Sequence, residues 1–127
     1  TFSRAALAEA GEGRLGLFVS GTASIVGHES VHHGDVRAQV RETVVNLRAV
    51  LDNASSKSSA RWSLRDLHAV VYVRHAQDHA TVVDELARAA PELGRDAGET
   101  VFLQADICRR ELDVEIEGHA WAEGELV

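Results

Sequence analysis

Between Gln104 and Gly118 the sequence places a thiol and two guanidinium groups, Cys108-Arg109-Arg110, just ahead of the alternating acids Asp113, Glu115 and Glu117. A carboxylic acid on a strand can serve as a general acid when burial raises its pKa toward the working pH. The arginines offer forked donors that match a carboxylate. Plainer readings fit the same residues: a solvated strand face, a surface turn, and a cysteine acting as a small buried apolar side chain. The alternation by itself favours the solvated face and does not single out one of the three acids.

A second cluster lies in Gly27–Gly34, which holds His28, His32 and His33. Glu29 and Asp35 are the nearby carboxylates, and no histidine pair has helical i, i+4 spacing with a third ligand in reach. A solvated loop fits better than a metal centre, and neither a metal nor an organic cofactor is expected. Ser20 precedes Gly21, but the surrounding residues form no nucleophile elbow and no phosphate-cradling glycine loop.

These residues need elements to position them. Thr1–Glu9 and Leu15–Val26 read as two strands around Gly11-Glu12-Gly13, a turn suited to a hairpin. Gly21 inside the second strand marks either a bulge or the close approach of another group. Asp35–Asn53 is a helix, with Asp35 as its cap and Val36, Val40, Val44, Leu47 and Leu51 on one stripe. The serine-rich stretch Ala54–Ala60 reads as a mobile loop. Leu67–Arg74 is a nearly continuous apolar strand, as in a sheet covered by helices. Asp78 is expected to cap a second helix, His79–Ala90, with Val82, Val83, Leu86 and Ala90 inward and Pro91 and Gly94 at its end. Thr100–Ile107 and Glu111–Trp121 complete the strands. The order β-β-α-β-α-β-β predicts an α+β fold with both helices on one face of a mixed sheet. Phe18, Phe102 and Trp121 suggest that the other face is apolar too, and so covered by further domains.

The chain has 127 residues, 45% of them hydrophobic, which suits one domain with a proper core. Its net charge of −7 opposes a nucleic-acid partner but still allows a local arginine cluster for a small anion. One cysteine permits no internal disulfide, which fits a reducing cytoplasm. No apolar run approaches membrane-spanning length, so no membrane partner is expected. Thr1-Phe2-Ser3-Arg4 has neither an initiator Met nor signal-peptide character, so the chain is expected to be processed, trimmed or part of something longer.

Several motifs together resemble the RidA (YjgF) superfamily. They are Phe18-Val19-Ser20-Gly21, Gly34-Asp35 before a helix with Gln39 and Asn46-Leu47-Arg48-Ala49-Val50-Leu51, the strand Ala69-Val70-Val71-Tyr72-Val73, and Val114-Glu115-Ile116-Glu117. The resemblance implies a chorismate-mutase-like fold assembled as trimers with clefts between adjacent domains. It does not extend to the arginine with which the family's deaminases hold a substrate carboxylate, because Glu99-Thr100 stands at that place.

A closer likeness is to the C-terminal part of the chorismatases, carried by Leu17–Leu51, Ala105–Leu112 and Val114–Gly118. It implies that Glu115 is the acid that protonates the enolpyruvyl methylene of chorismate. It also implies that Gly21 and Cys108 line the pocket, with a Gly and a Cys there resembling the branch that makes 3-hydroxybenzoate. Chorismate is a dianion, so Arg74, Tyr72 on the same face, and Arg109 are the candidates to bind it. Chorismatases of this kind are longer, two-domain enzymes. The chain is therefore expected either to be one domain of such an enzyme or to complete its pocket as a homo-oligomer. A RidA-like trimer acting on another small carboxylate, and a non-catalytic ligand-binding domain, are the competing expectations.

Overall fold

A computed structural model of the chain describes residues 5–27 and 29–127. The start of the expected first strand, residues 1–4, and His28 lie outside the described residues.

Two strands, β1 (Ala5–Glu9) and β2 (Arg14–Thr22), form the antiparallel hairpin expected around Gly11-Glu12-Gly13. All three turn residues have positive φ, which two glycines allow without a Cβ clash. A small hairpin follows, β3 (Ile25–Val26) with β4 (Glu29–Ser30), inside the segment read as a bare loop. Helix α1 (Val36–Ser56) starts as expected, with the Asp35 carboxylate accepting from Ala38 N at 3.0 Å. Strand β5 (His68–Val73), helix α2 (His79–Ala89), strand β6 (Val101–Gln104) and strand β7 (Val114–Glu123) complete the fold.

The five long strands form one mixed sheet in the order β1-β2-β7-β5-β6, in which only β5 and β6 run parallel. One face carries Leu15, Leu17 and Val19 of β2, Ala69, Val71 and Val73 of β5, and Val114, Ile116 and Ala120 of β7. These pack with Val40, Val44, Leu47 and Leu51 of α1 and Val82 and Leu86 of α2 into a single core. Each fully buried Val, Leu or Ile side chain there contributes about 1.5–3 kcal/mol by leaving water. Both helices thus share one face, as the α+β reading requires. On the other face, Phe18, Trp121, Val101 and Leu103 are each between 43% and 47% exposed. Phe102, expected there too, instead packs against the helix-side core, edge-on to His79 of α2, because it pairs with the inward-facing Val71.

Four local expectations change. Helix α1 runs on through Ser56, and the serine-rich stretch after it is pinned rather than mobile. Ser58 is buried, donates to Ala54 O and Ala60 O and accepts from Trp62 Nε1. Asp78 makes no side-chain cap, because the 3-10 turn Ala76–Asp78 feeds directly into α2. Val83 is exposed, whereas Val82, Leu86 and Ala90 point inward. The last two strands are separated by an irregular segment, 105–113, where a short turn was expected.

Candidate active site

Glu115 stands on β7, the middle strand of the sheet, directly opposite Tyr72 of β5. Strand alternation turns Glu115 and Glu117 to the open face, while Val114 and Ile116 enter the core. On the other flank, β2 is regular up to Val19↔Gly118, then slips so that Thr22 pairs with Ile116. Three residues of β2 advance against two of β7, which is a bulge. The bulge brings Gly21 onto the Glu115 side chain. A Cβ at Gly21 would collide with Glu115 Oε1 and lie 2.5 Å from its carboxyl carbon. The two readings weighed for Gly21 are therefore both realised: it sits at a bulge, and it makes room for a close neighbour.

The carboxyl is half-buried, and its pKa is raised, first by burial and second by the charge of Glu117. Neither influence comes from a cation. Tyr72 donates its hydroxyl proton to Glu117 Oε1 at 2.5 Å, and the phenol pKa is raised mainly by that hydrogen bond. Gly21, Tyr72 and Glu115 are thus brought together, and Glu117 joins them.

Arg74 has a different setting from the one read in the sequence. Its guanidinium donates to three carbonyls of the irregular segment, Leu112 O at 2.9 Å, Ile107 O at 2.8 Å and Arg109 O at 2.7 Å. It therefore shapes the turn that carries Cys108 and Arg109 as they approach β7. Cys108 is an exposed free thiol on that turn, and Arg109 donates to Ser30 Oγ at 3.2 Å.

Gln39 braces the same segment from the helix side. It is fully buried, accepts from Asp113 N at 2.8 Å, and donates to His32 O at 3.1 Å and Glu111 O at 3.3 Å. Asn46 donates to Ala23 O and Ile25 O and so holds the corner just past the bulge. Gln39 and Asn46 stand in the motifs read from the sequence, but their bracing roles were not read there. Their one available signal was a pair of uncharged amides on the inward side of an otherwise aliphatic helix stripe. The two described histidines of the 27–34 segment face different partners, His32 toward Glu42 and His33 toward Ser30 O. A hollow of about 420 Å³, lined in part by Phe18, Ser20, Val70, Glu117 and the stacked pair His68–His119, opens on the same sheet face. That size suits a small molecule, but the hollow is open to solvent.

No family model matches the sequence. A protein named chorismatase from Streptomyces rapamycinicus is 46% identical over 113 residues, covering 86% of this chain and 32% of its own length. A 3-hydroxybenzoate synthase from Streptomyces hygroscopicus is 42% identical over 106 residues, covering 80% and 30%. The chain thus spans about a third of the length of the curated relatives it matches. A crystal structure of a chorismatase superposes with a TM-score of 0.78 at 35% identity, covering 94% of this chain and 36% of that one. The YjgF protein of E. coli superposes with a TM-score of 0.65 at 21% identity, covering 94% and 87%, which is a likeness of fold.

Proposed function

We propose, for a chain that is homologous to the chorismatases and carries the RidA/YjgF fold, that it supplies the acid-bearing wall of a chorismatase-type site. Glu115 delivers its proton to the terminal carbon of the enolpyruvyl ether of chorismate. The electron pair of the double bond takes that proton, and an oxocarbenium ion develops at the ether carbon. The carboxylate left behind stabilises the cation, so one residue serves both roles. The ring hydroxyl beside the ether adds to the cationic carbon and gives up its proton. The bond from that oxygen to the ring and the bond from the carbon to the ether oxygen then break, so pyruvate leaves with the hydroxyl oxygen. The ring keeps the ether oxygen, which takes up a proton, and sheds one carbon-bound proton as it becomes aromatic. Pyruvate and 3-hydroxybenzoate together hold the atoms of chorismate. Gly21 and Cys108 line the pocket, and Tyr72 and Arg109 face the substrate. Arg74 contributes by shaping the turn that carries Cys108 and Arg109, its guanidinium being held by three carbonyls and by Asp106 at 3.6 Å.

The observation that carries the reading is the Glu115 carboxyl seated over Gly21, with its pKa raised by burial. A raised pKa moves a carboxyl in the direction a general acid needs. The open hollow lined by Ser20 and Glu117, the neighbours of this pair on β2 and β7, supports a second wall, supplied either by a linked related domain or by another copy in a homo-oligomer such as a trimer. A second reading keeps the same open sheet face but closes the pocket between copies of this chain, as a trimer acting on another small carboxylate; the solvent-open hollow on that face leaves room for such a neighbour.

The test is incubation of the purified chain with chorismate while pyruvate is followed. Release is expected, and Glu115→Gln should reduce it by about 10²–10⁴-fold. A folded chain that releases no pyruvate favours the second reading. Release that survives Glu115→Gln removes Glu115 from the acid role.

A further inference from the structure

Glu117 gives up no proton in the step just described, yet it holds the phenol across the ladder from the acid. Tyr72 lies directly across the ladder from Glu115, but its hydroxyl reaches past it to Glu117, two residues along β7. A phenol has one proton to donate and lone pairs to accept with. Once that proton is committed to a carboxylate, the oxygen can meet a ligand only as an acceptor. A bound carboxylate has no proton to offer it, whereas a ligand hydroxyl does. The uncovered hollow that Glu117 also lines gives such a ligand room on the same face.

We infer that Glu117 is a positioning residue that fixes Tyr72 as a hydrogen-bond acceptor beside Glu115, so that the site selects carboxylates bearing a hydroxyl group. The ligand class rests on the chorismatase-type reading; the orientation of Tyr72 does not. The two can therefore fail separately.

Tyr72 is the one tyrosine of the chain, so an ultraviolet titration of tyrosinate reports on it alone. In the unmodified protein the transition is expected above the ordinary phenol range. Glu117→Gln should lower its midpoint, and Glu117→Asp, which keeps the charge, should restore part of the shift. Circular dichroism checks that both variants fold. An unmoved midpoint in a folded Glu117→Gln chain overturns the positioning role, whatever the enzyme assay shows.

Ligand choice is read by calorimetry with 3-hydroxybenzoate and benzoate. The hydroxylated acid should bind about tenfold more tightly, which is one well-made hydrogen bond. Tyr72→Phe should erase the preference and Glu117→Gln should weaken it. Equal binding of the two acids to the unmodified protein, or binding of neither, overturns the selection. An intact preference without pyruvate release from chorismate would sink the chorismatase-type reading and leave this one standing.

Discussion

On the helix side, Glu85 of α2 lies beneath Arg37 and Arg41 of α1 at 3.0 and 3.3 Å, and Arg37 also reaches Asp84 at 2.8 Å. The Arg37 hydrogen bonds hold both carboxyls below their usual range. On the open face, Glu115 has burial and a second carboxylate instead, and its pKa moves the other way. Chain composition is the same for both; partner sign and solvent access decide the outcome. The acids that hold the helices together are pushed toward the charged form, and Glu115 is pushed toward the neutral one.

The widest gap between the two faces should appear in stability. Leu47→Ala, on the helix side, removes a fully buried side chain and should cost about 2–5 kcal/mol in chemical denaturation. Phe18→Ser, on the open face, should cost less in the separate chain, about 0.5–1.5 kcal/mol, because the ring is 45% exposed and loses chiefly its edge-on contact with Trp121. A loss at Phe18 as large as that at Leu47, with a dependence on protein concentration, would mean that another copy covers the open face in solution.

Gly21→Ala sharpens the contrast within the open face. The new methyl must push the Glu115 carboxyl aside, so pyruvate release should fall about 10–100-fold while the thermal transition moves little. Full activity in that variant would detach Gly21 from the acid.

The smallest effect is the pH dependence of stability, and the two acids give it opposite signs. Glu85 has a lowered folded pKa, so its stabilisation is present above the ordinary carboxylate range and is lost as pH falls through the lowered value. Glu115 has a raised folded pKa, so its stabilisation is full below the ordinary glutamate value and is lost as pH rises through the raised one. In a pH series of denaturation curves, Glu85→Gln should flatten the loss on acidification. Glu115→Gln should flatten the loss on the rising side. Slopes that do not separate in this way would remove the distinction between the two faces.

Features decided within a few residues were legible in the sequence. The Asp35 cap, the Gly11–Gly13 turn and the alternation of β7 all follow from local geometry. Gly21 was legible as a bulge or a close approach, though not as both. What could not be read depends on partners far along the chain. Asp113, Glu115 and Glu117 share one alternation, but Gln39 binds the backbone of Asp113, and Tyr72 takes up Glu117. Arg74 looked like a fork for a carboxylate because its three carbonyl partners belong to an irregular segment that has no pattern to read. The serines after α1 looked solvated because a serine hydroxyl shows its polarity in sequence but not the neighbouring carbonyls and indole that satisfy it.

Strand β7 lies between β2 and β5 and is the last strand of this sequence. Until it docks, the β1–β2 ribbon and the β5–β6 pair have unpaired inner edges and no common sheet. Its pairing with β2 closes a loop of nearly the whole chain, an entropic cost met only when the core forms as well. Glu115 therefore acquires its neighbours in the same cooperative event that folds the molecule, and no half-folded form holds the acid in place. A weakened variant should lose active molecules one by one, with each survivor fully competent.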